Sequence, residues 1–238
     1  MNELFVSDLH LDAHSTAANE RFMVFLRERA AQARVLYILG DLFEAWVGDD
    51  DPDPVKGWIC DGLRRLTQAG VPCFVMRGNR DFLLGEQFAA RTGCHLLPDP
   101  VIATFDDEPV LLTHGDALCV DDRPYQELRT TVRQKAWQQR FLDLPLLTRQ
   151  LLANEARRGS QAHISRTIPY VMDVNDAAVS AVWRTGATRI IHGHTHRPGI
   201  HSGAFNGRAV QRIVLGAWYE QGSYLLRESG RYELRELD

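Results

Sequence analysis

The chain has 238 residues, a formal net charge of −4, 45% hydrophobic and 24% charged residues. That is enough apolar chain for one domain with a real core, or one domain carrying an insertion. The acidic balance excludes a chain-wide cationic attraction to nucleic acid or membrane, and leaves only a local patch to supply one.

The opening residues, MNELFVSDLH, have no basic start, and Ser7-Asp8 interrupts their apolar run, so they do not read as a signal peptide. Leu4–Val6 is instead a short buried strand whose end presents Ser7 and Asp8. Residues 17–32 carry Phe22, Phe25 and Leu26 at helical spacing, and Val35–Leu39 is a second buried strand that stops at Gly40-Asp41. A helix is expected over 54–69, ending at Gly70, and a third strand over Cys73–Met76, ending at Gly78-Asn79. Residues 82–92 are expected to be helical, with strands near 100–105 and 109–113, the latter running into His114-Gly115. A helix over 174–184 and a strand at Arg189–Ile191 lead to Gly193-His194. Apolar runs near 209–215 and 222–227, with an alternating stretch at 230–236, are expected to close the fold as antiparallel strands. No stretch reaches the roughly 18 apolar residues of a membrane span. Cys60, Cys73, Cys94 and Cys119 form no CxxC pair and read as reduced, mostly buried thiols of a cytosolic protein.

Five of these strands end in a glycine or serine beside an Asp, Asn or His. Sites of open α/β sheets form at the carboxyl ends of strands, and small residues let the chain turn sharply there. The motifs are Asp8-x-His10, Gly40-Asp41, Gly78-Asn79-Arg80-Asp81, His114-Gly115-Asp116 and Gly193-His194-Thr195-His196. Two carboxylates, one amide oxygen and four imidazoles suit divalent first-row metals. Asp8 and His10, two apart on a strand end, can face one side, and His194 and His196 repeat that spacing. The set is too rich for one tetrahedral ion and fits two ions sharing a carboxylate, for which Asp41 is the expected bridge. Two divalent ions against two carboxylates leave a surplus near +2 that attracts phosphate, and they activate water for in-line attack on phosphorus. His14, His95, His163 and His201 read as ordinary surface or core residues, and His192 as one that packs beneath the site or supports it.

Residues 123–166 differ from the rest: nine basic against three acidic residues give this segment +6 and leave −10 elsewhere. Trp137, Phe141, Leu142, Leu144, Leu146, Leu147, Leu151 and Leu152 lie in the same segment, and Pro145 should break or start a helix. It reads as a helical insertion.

The five motifs resemble the calcineurin-like metallophosphoesterase superfamily, whose pattern is DxH…GD…GNH(D/E)…H…GHxH. The resemblance implies an α/β fold, a four-layer α/β/β/α sandwich. It also implies one metal on Asp8, His10, Asp41 and His196, and another on Asp41, Asn79, His114 and His194. Arg80 replaces the histidine of the superfamily's GNH. A guanidinium cannot give up a proton but can clamp a phosphate with two donors, which suits a leaving group that needs no proton, such as a phosphate. Asp41, Asn79, Arg80 and His114 are accordingly the expected catalytic residues.

SDLHLD, YILGDLFEAWVGDD, GNRDFL, THGD, the basic insertion and IIHGHTHRP together resemble a narrower family, the UDP-2,3-diacylglucosamine diphosphatases of lipid A biosynthesis, over nearly the whole chain. That resemblance implies hydrolysis to UMP and a diacylglucosamine 1-phosphate, two Mn²⁺, and work as a peripheral protein at the cytoplasmic face of the bacterial inner membrane. It implies substrate contacts at Asn79, Arg80, Asp122, Ser160 and His194. A family lysine is replaced by Thr167, with Arg166 beside it, and Ile164 stands where a polar residue is usual, so these three join the candidate substrate-binding set. The division expected is a core of 1–121 and 168–238 with a helical lid over 122–167. The insertion's cations could face a diphosphate or an anionic membrane, and its apolar residues could line an acyl groove or a membrane interface. The bland alternative packs the leucines onto the core and leaves the arginines solvated. Competing functions are a two-metal phosphoesterase for a soluble nucleotide, and a non-catalytic scaffold of the same fold. An acidic core argues against a nuclease. No oligomer is implied.

Overall fold

The computed structural model describes residues 2–164, 171, 173–219 and 221–237, with backbone only at 161–164. In chain order the strands are β1 (Glu3–Val6), β2 (Val35–Leu39), β3 (Cys73–Met76), β4 (His95–Leu97), β5 (Val101–Phe105), β6 (Glu108–Leu112), β7 (Arg189–His192), β8 (Gly199–Phe205), β9 (Arg208–Val214), β10 (Ser223–Glu228) and β11 (Arg231–Glu236). The helices are α1 (Thr16–Glu28), α2 (Pro54–Gln68), α3 (Glu86–Thr92), α4 (Arg123–Val132), α5 (Lys135–Leu142), α6 (Leu146–Ile164) and α7 (Asp176–Arg184).

Two sheets form, one of six strands in the order β11-β10-β1-β2-β3-β4 and one of five in the order β5-β6-β7-β9-β8. The period of two along each strand divides its side chains between layers. On β1, Leu4 and Val6 join the core under α1–α3, while Phe5 joins Leu39, Met76, Ile191, Ile213 and Leu225 between the sheets. A third cluster of Leu111, Trp183, Ile190 and Val210 packs α7 on the outer face of the second sheet. Helix, sheet, sheet and helix are thus stacked in four layers, and strands covered on both faces read as unbroken apolar runs.

Local chemistry fixes most boundaries. Asp53 caps α2 by accepting from the Val55 and Lys56 N–H groups, with Pro54 in the first turn. Asn175 caps α7 in the same way. Asn206-Gly207 and Ser229-Gly230 both have left-handed backbones, the two-residue turn that joins β8 to β9 and β10 to β11. Pro145 immediately precedes α6.

Two expectations need correction, and two strands were not expected. The helix expected over 82–92 begins only at Glu86. Its N-terminus is held by a carboxylate distant in sequence: Asp49 accepts from the Gly85, Gln87 and Phe88 N–H groups. The closing strands are not one antiparallel set, because β9 pairs parallel with β7 while β10 and β11 extend the first sheet. β4, three residues long, and β8, whose residues are mostly exposed, give no sequence signal and form by pairing alone.

Candidate metal centre

The loops after β1, β2, β3, β6 and β7 converge, and they bring all seven candidate ligands together. Parallel pairing continues beyond the strands: the Asp8, His10 and Leu11 N–H groups donate to the carbonyls of Gly40, Asp41 and Leu42 at 3.0–3.1 Å. Asp8, His10, Asp41, His194 and His196 all have positive φ, between 52° and 67°. A left-handed backbone costs a non-glycine residue about 1–3 kcal/mol and persists only where surroundings enforce it. Five such residues in one cluster mark a site built to aim side chains. Two glycines allow the close approach: a Cβ at Gly78 would lie 2.1 Å from Asp41 Oδ1, and one at Gly193 would lie 2.1 Å from Asp8 Oδ2.

The ligands divide into two groups around Asp41. His10 Nε2 lies 3.8 Å from Asp41 Oδ2, 4.0 Å from Asp8 Oδ1 and 3.4 Å from His196 Nε2. His196 Nε2 is 3.2 Å from Asp8 Oδ1. On the other side His114 Nε2 lies 3.8 Å from Asp41 Oδ1 and 2.8 Å from Asn79 Oδ1, and Asn79 Oδ1 also meets His194 Nδ1 at 2.9 Å. Each oxygen of Asp41 therefore faces a different group, which is the geometry of a shared carboxylate. Donor atoms of this chemistry and spacing fit a divalent pair.

The electrostatics agree. Burial opposes the charge of Asp8, but the hydrogen bond to His196 and the nearby His114, His196 and His10 hold it well below the usual carboxylate range. Burial likewise opposes a charge on His114, yet Asp41, Asp8, Asp116 and Asp99 lift it to about 9, so this pocket favours positive charge. Burial and then His114 press His194 down to about 4, leaving an uncharged imidazole.

Further residues, absent from the sequence-based set, hold the ligands in place. Asp81, fully buried, accepts from the Gly78 N–H with one oxygen and from the Leu42 and Phe43 N–H groups with the other, tying the loops after β2 and β3 together. Burial, then Asp41, raises it to about 6. Glu44 lies 2.6 Å from His10 Nδ1. Asp116 accepts from the Tyr125 hydroxyl at 2.6 Å and Arg129 Nε at 2.9 Å. The signal for Asp81 and Asp116 was their place inside the motifs. For Glu44 it was the requirement that a ligating imidazole have an acceptor on its second nitrogen. His192 is buried beneath the site, bonded to the Gly193 carbonyl and 3.2 Å from Arg212 Nη1; burial lowers it to about 3. Tyr219 stacks on His10 with ring centres 5.0 Å apart.

Beside the ligands lies a cavity of about 310 Å³ lined by Glu44, Asn79, Arg80, Trp137, Phe141 and Ser160, among others. Asp122 is not on that wall; it is buried and caps α4 through the Tyr125 N–H. The Ile164 side chain, Arg166 and Thr167 lie outside the described residues. Part of the basic segment is paired with residues outside it. Arg129 and Arg133 reach Asp116 at 2.9 and 3.7 Å, Arg157 reaches Glu44 at 2.8 Å, and Arg149 pairs with Asp50 and the Val47 carbonyl. Four of its cations thus fasten the helical segment to acidic residues outside it, while Arg123, Lys135, Arg140 and Arg158 are exposed, so the solvated-arginine alternative holds only in part.

A family model described as calcineurin-like phosphoesterase matches residues 1–198, and the chain belongs to that family. A protein of Stenotrophomonas maltophilia named UDP-2,3-diacylglucosamine hydrolase is 50% identical over 245 aligned positions, covering 100% of this chain and 99% of that protein. One of the same name from Serratia proteamaculans is 45% identical, covering 98% of each. The solved structure of an archaeal phosphodiesterase superposes over 100% of both chains with a TM-score of 0.51 at 13% identity, a likeness of fold.

Proposed function

We propose that this chain hydrolyses the diphosphate of UDP-2,3-diacylglucosamine to UMP and 2,3-diacylglucosamine 1-phosphate. In this reading Asp8, His10, Asp41, Asn79, His114, His194 and His196 hold two Mn²⁺ ions, with Asp41 shared. The observation that carries it is the largely apolar cavity beside the ligand cluster, lined by Asn79 and Arg80 together with Trp137 and Phe141. A diphosphate joined to acyl chains brings charged and apolar groups together in the same way. Full-length relatives with this substrate in their names support the choice.

Divalent ions in the cluster would polarise phosphoryl oxygens and supply an activated water for in-line attack. The chain's own groups do the rest. Arg80, on the cavity wall, offers a charge-assisted pair of donors to a phosphate and has no proton to give. It therefore suits departure of a sugar phosphate, which leaves without protonation. Tyr125 also lines the cavity; burial and then Asp116 raise its hydroxyl far above the ordinary range, so it keeps its proton and donates it in a hydrogen bond to Asp116. Ser160 lies on the same wall as a polar contact. His194, Asp122, Ile164, Arg166 and Thr167 complete the proposed substrate set from the family resemblance. Residues 122–167 serve as a lid on a core of 1–121 and 168–238.

A lipid substrate brings the protein to a membrane. No helix among the described residues is long and apolar enough to cross one. On α6, Leu147, Leu151 and Leu152 are 68%, 59% and 47% exposed, and we place this face against the anionic cytoplasmic surface of the bacterial inner membrane. A soluble nucleotide as substrate would leave the apolar cavity without an occupant. The test is a Mn²⁺-supplemented assay on UDP-2,3-diacylglucosamine beside its deacylated analogue. The acylated compound is expected to react at least about tenfold faster at low concentration, a difference of about 1.4 kcal/mol. Equal rates would remove the lipid reading and leave a general phosphoesterase.

A further inference from the structure

Glu44 divides its carboxylate between two parts of the molecule. Oε2 lies 2.6 Å from Nδ1 of His10, and Oε1 accepts from Arg157 of α6 at 2.8 Å. A second guanidinium nitrogen of Arg157 lies 2.8 Å from that same Oε1 and 3.6 Å from Asp12 Oδ2. Bonding at Nδ1 fixes the proton there and leaves Nε2 of His10 facing Asp8 and Asp41 with its lone pair. Glu44 has rotatable bonds that would let it swing off the imidazole, and ordering such a side chain costs entropy. Arg157 holds it in place. The flanking Asp12 and Glu44 offset the arginine's charge, so its effect on the ligand is mainly orientational.

From this geometry we infer that Glu44 is a positioning residue for His10, and that Arg157 makes its hold depend on α6 being docked. The helical segment and the ion bound by His10 therefore stabilise each other. This rests on the two-metal reading but not on any particular substrate. Linkage requires the effect in both directions: docked α6 raises affinity for that ion, and the ion protects α6.

The experiment measures Mn²⁺ binding to the full chain by the electron-paramagnetic-resonance signal of free Mn²⁺, for the parent, Glu44→Ala, Arg157→Gln, Arg157→Lys and the double variant Glu44→Ala/Arg157→Gln. The parent is expected to bind two ions. Glu44→Ala should weaken one of them about 10- to 100-fold, as removal of an orienting partner does elsewhere. Arg157→Gln should weaken that same ion about fivefold, the lower end of ordinary coupling. Arg157→Lys should recover part of the loss, and the double variant should be no worse than Glu44→Ala alone. Hydrogen exchange supplies the reciprocal readout: Mn²⁺ should slow amides of residues 146–160 in the parent but not in Arg157→Gln. Unchanged or tighter Mn²⁺ binding by Arg157→Gln, or additive losses in the double variant, overturns the coupling alone. A parent that binds no ion pair overturns the two-metal reading and the coupling with it.

Discussion

The ligand loops and the basic helical segment sit side by side but are held by different means. Each loop leaves a buried strand through a tight turn, and backbone bonds such as His10 N–H to the Asp41 carbonyl fix it against its neighbour. The helices α4–α6 carry no buried apolar side chain in α4 or α5 and are fastened through arginines to Asp116, Glu44 and Asp50. The proposed lid role fits this contrast. A site needs ligands held to fractions of an ångström, whereas a cover over an acyl-bearing substrate must let it in.

The comparison breaks most readily at Asp41. Asp41→Asn should lower kcat/KM about a thousandfold or more, about 4 kcal/mol, and cost at least one bound Mn²⁺; assay and metal analysis read both. A variant with full metal content and near-normal rate would remove Asp41 as the shared ligand. On the other side, Arg129→Gln withdraws a partner from buried Asp116 and should weaken the attachment of α4 by about 3 kcal/mol. Amide exchange over 123–132 should quicken while metal content stays at the parental level; loss of metal instead would mean the two regions are one unit.

Acid should loosen the helical segment as well. Burial opposes the charge of Asp116, but His114, His194, Arg129 and Arg133 hold its carboxyl well below the usual carboxylate range, and the hydrogen bond from Arg149 lowers that of Asp50. A depressed carboxyl contributes its full stability above the unfolded value and loses it as pH falls toward the folded one. The helical segment should therefore stay protected at neutral pH and lose exchange protection progressively below about pH 4. Protection that instead declines as pH rises from 6 to 9 would contradict the carboxylate attachment. A smaller effect is expected from Phe141→Ala, which shortens the cavity wall: about tenfold lower kcat/KM on the diacylated substrate, with the deacylated analogue unaffected. Equal losses on both would assign Phe141 to folding rather than to acyl recognition.

The same contrast explains what the sequence disclosed. A ligand loop is written locally, as an apolar run, a small residue and a donor, so Asp8, Asp41, Asn79, His114 and His194 were legible without any knowledge of pairing. The four layers were expected from the family resemblance, and the strands apolar on both faces fit them. What could not be read depends on residues far apart. The start of α3 is set by Asp49, more than thirty positions away, and β8 exists only because β9 offers it an edge. The arginines of the segment could be counted but not assigned, since their partners, Glu44 among them, lie on the core. Left-handed backbone at five ligands likewise has no signature in residues whose side chains are polar for another reason.

The central claim is that seven side chains hold two neighbouring cations with Asp41 between them. Crystals of the Mn²⁺-loaded chain, measured with anomalous scattering at the manganese edge, test it most directly. Two peaks about 3.5–4 Å apart are expected, one beside each oxygen of Asp41. A single peak, or peaks ligated away from Asp41, would contradict it.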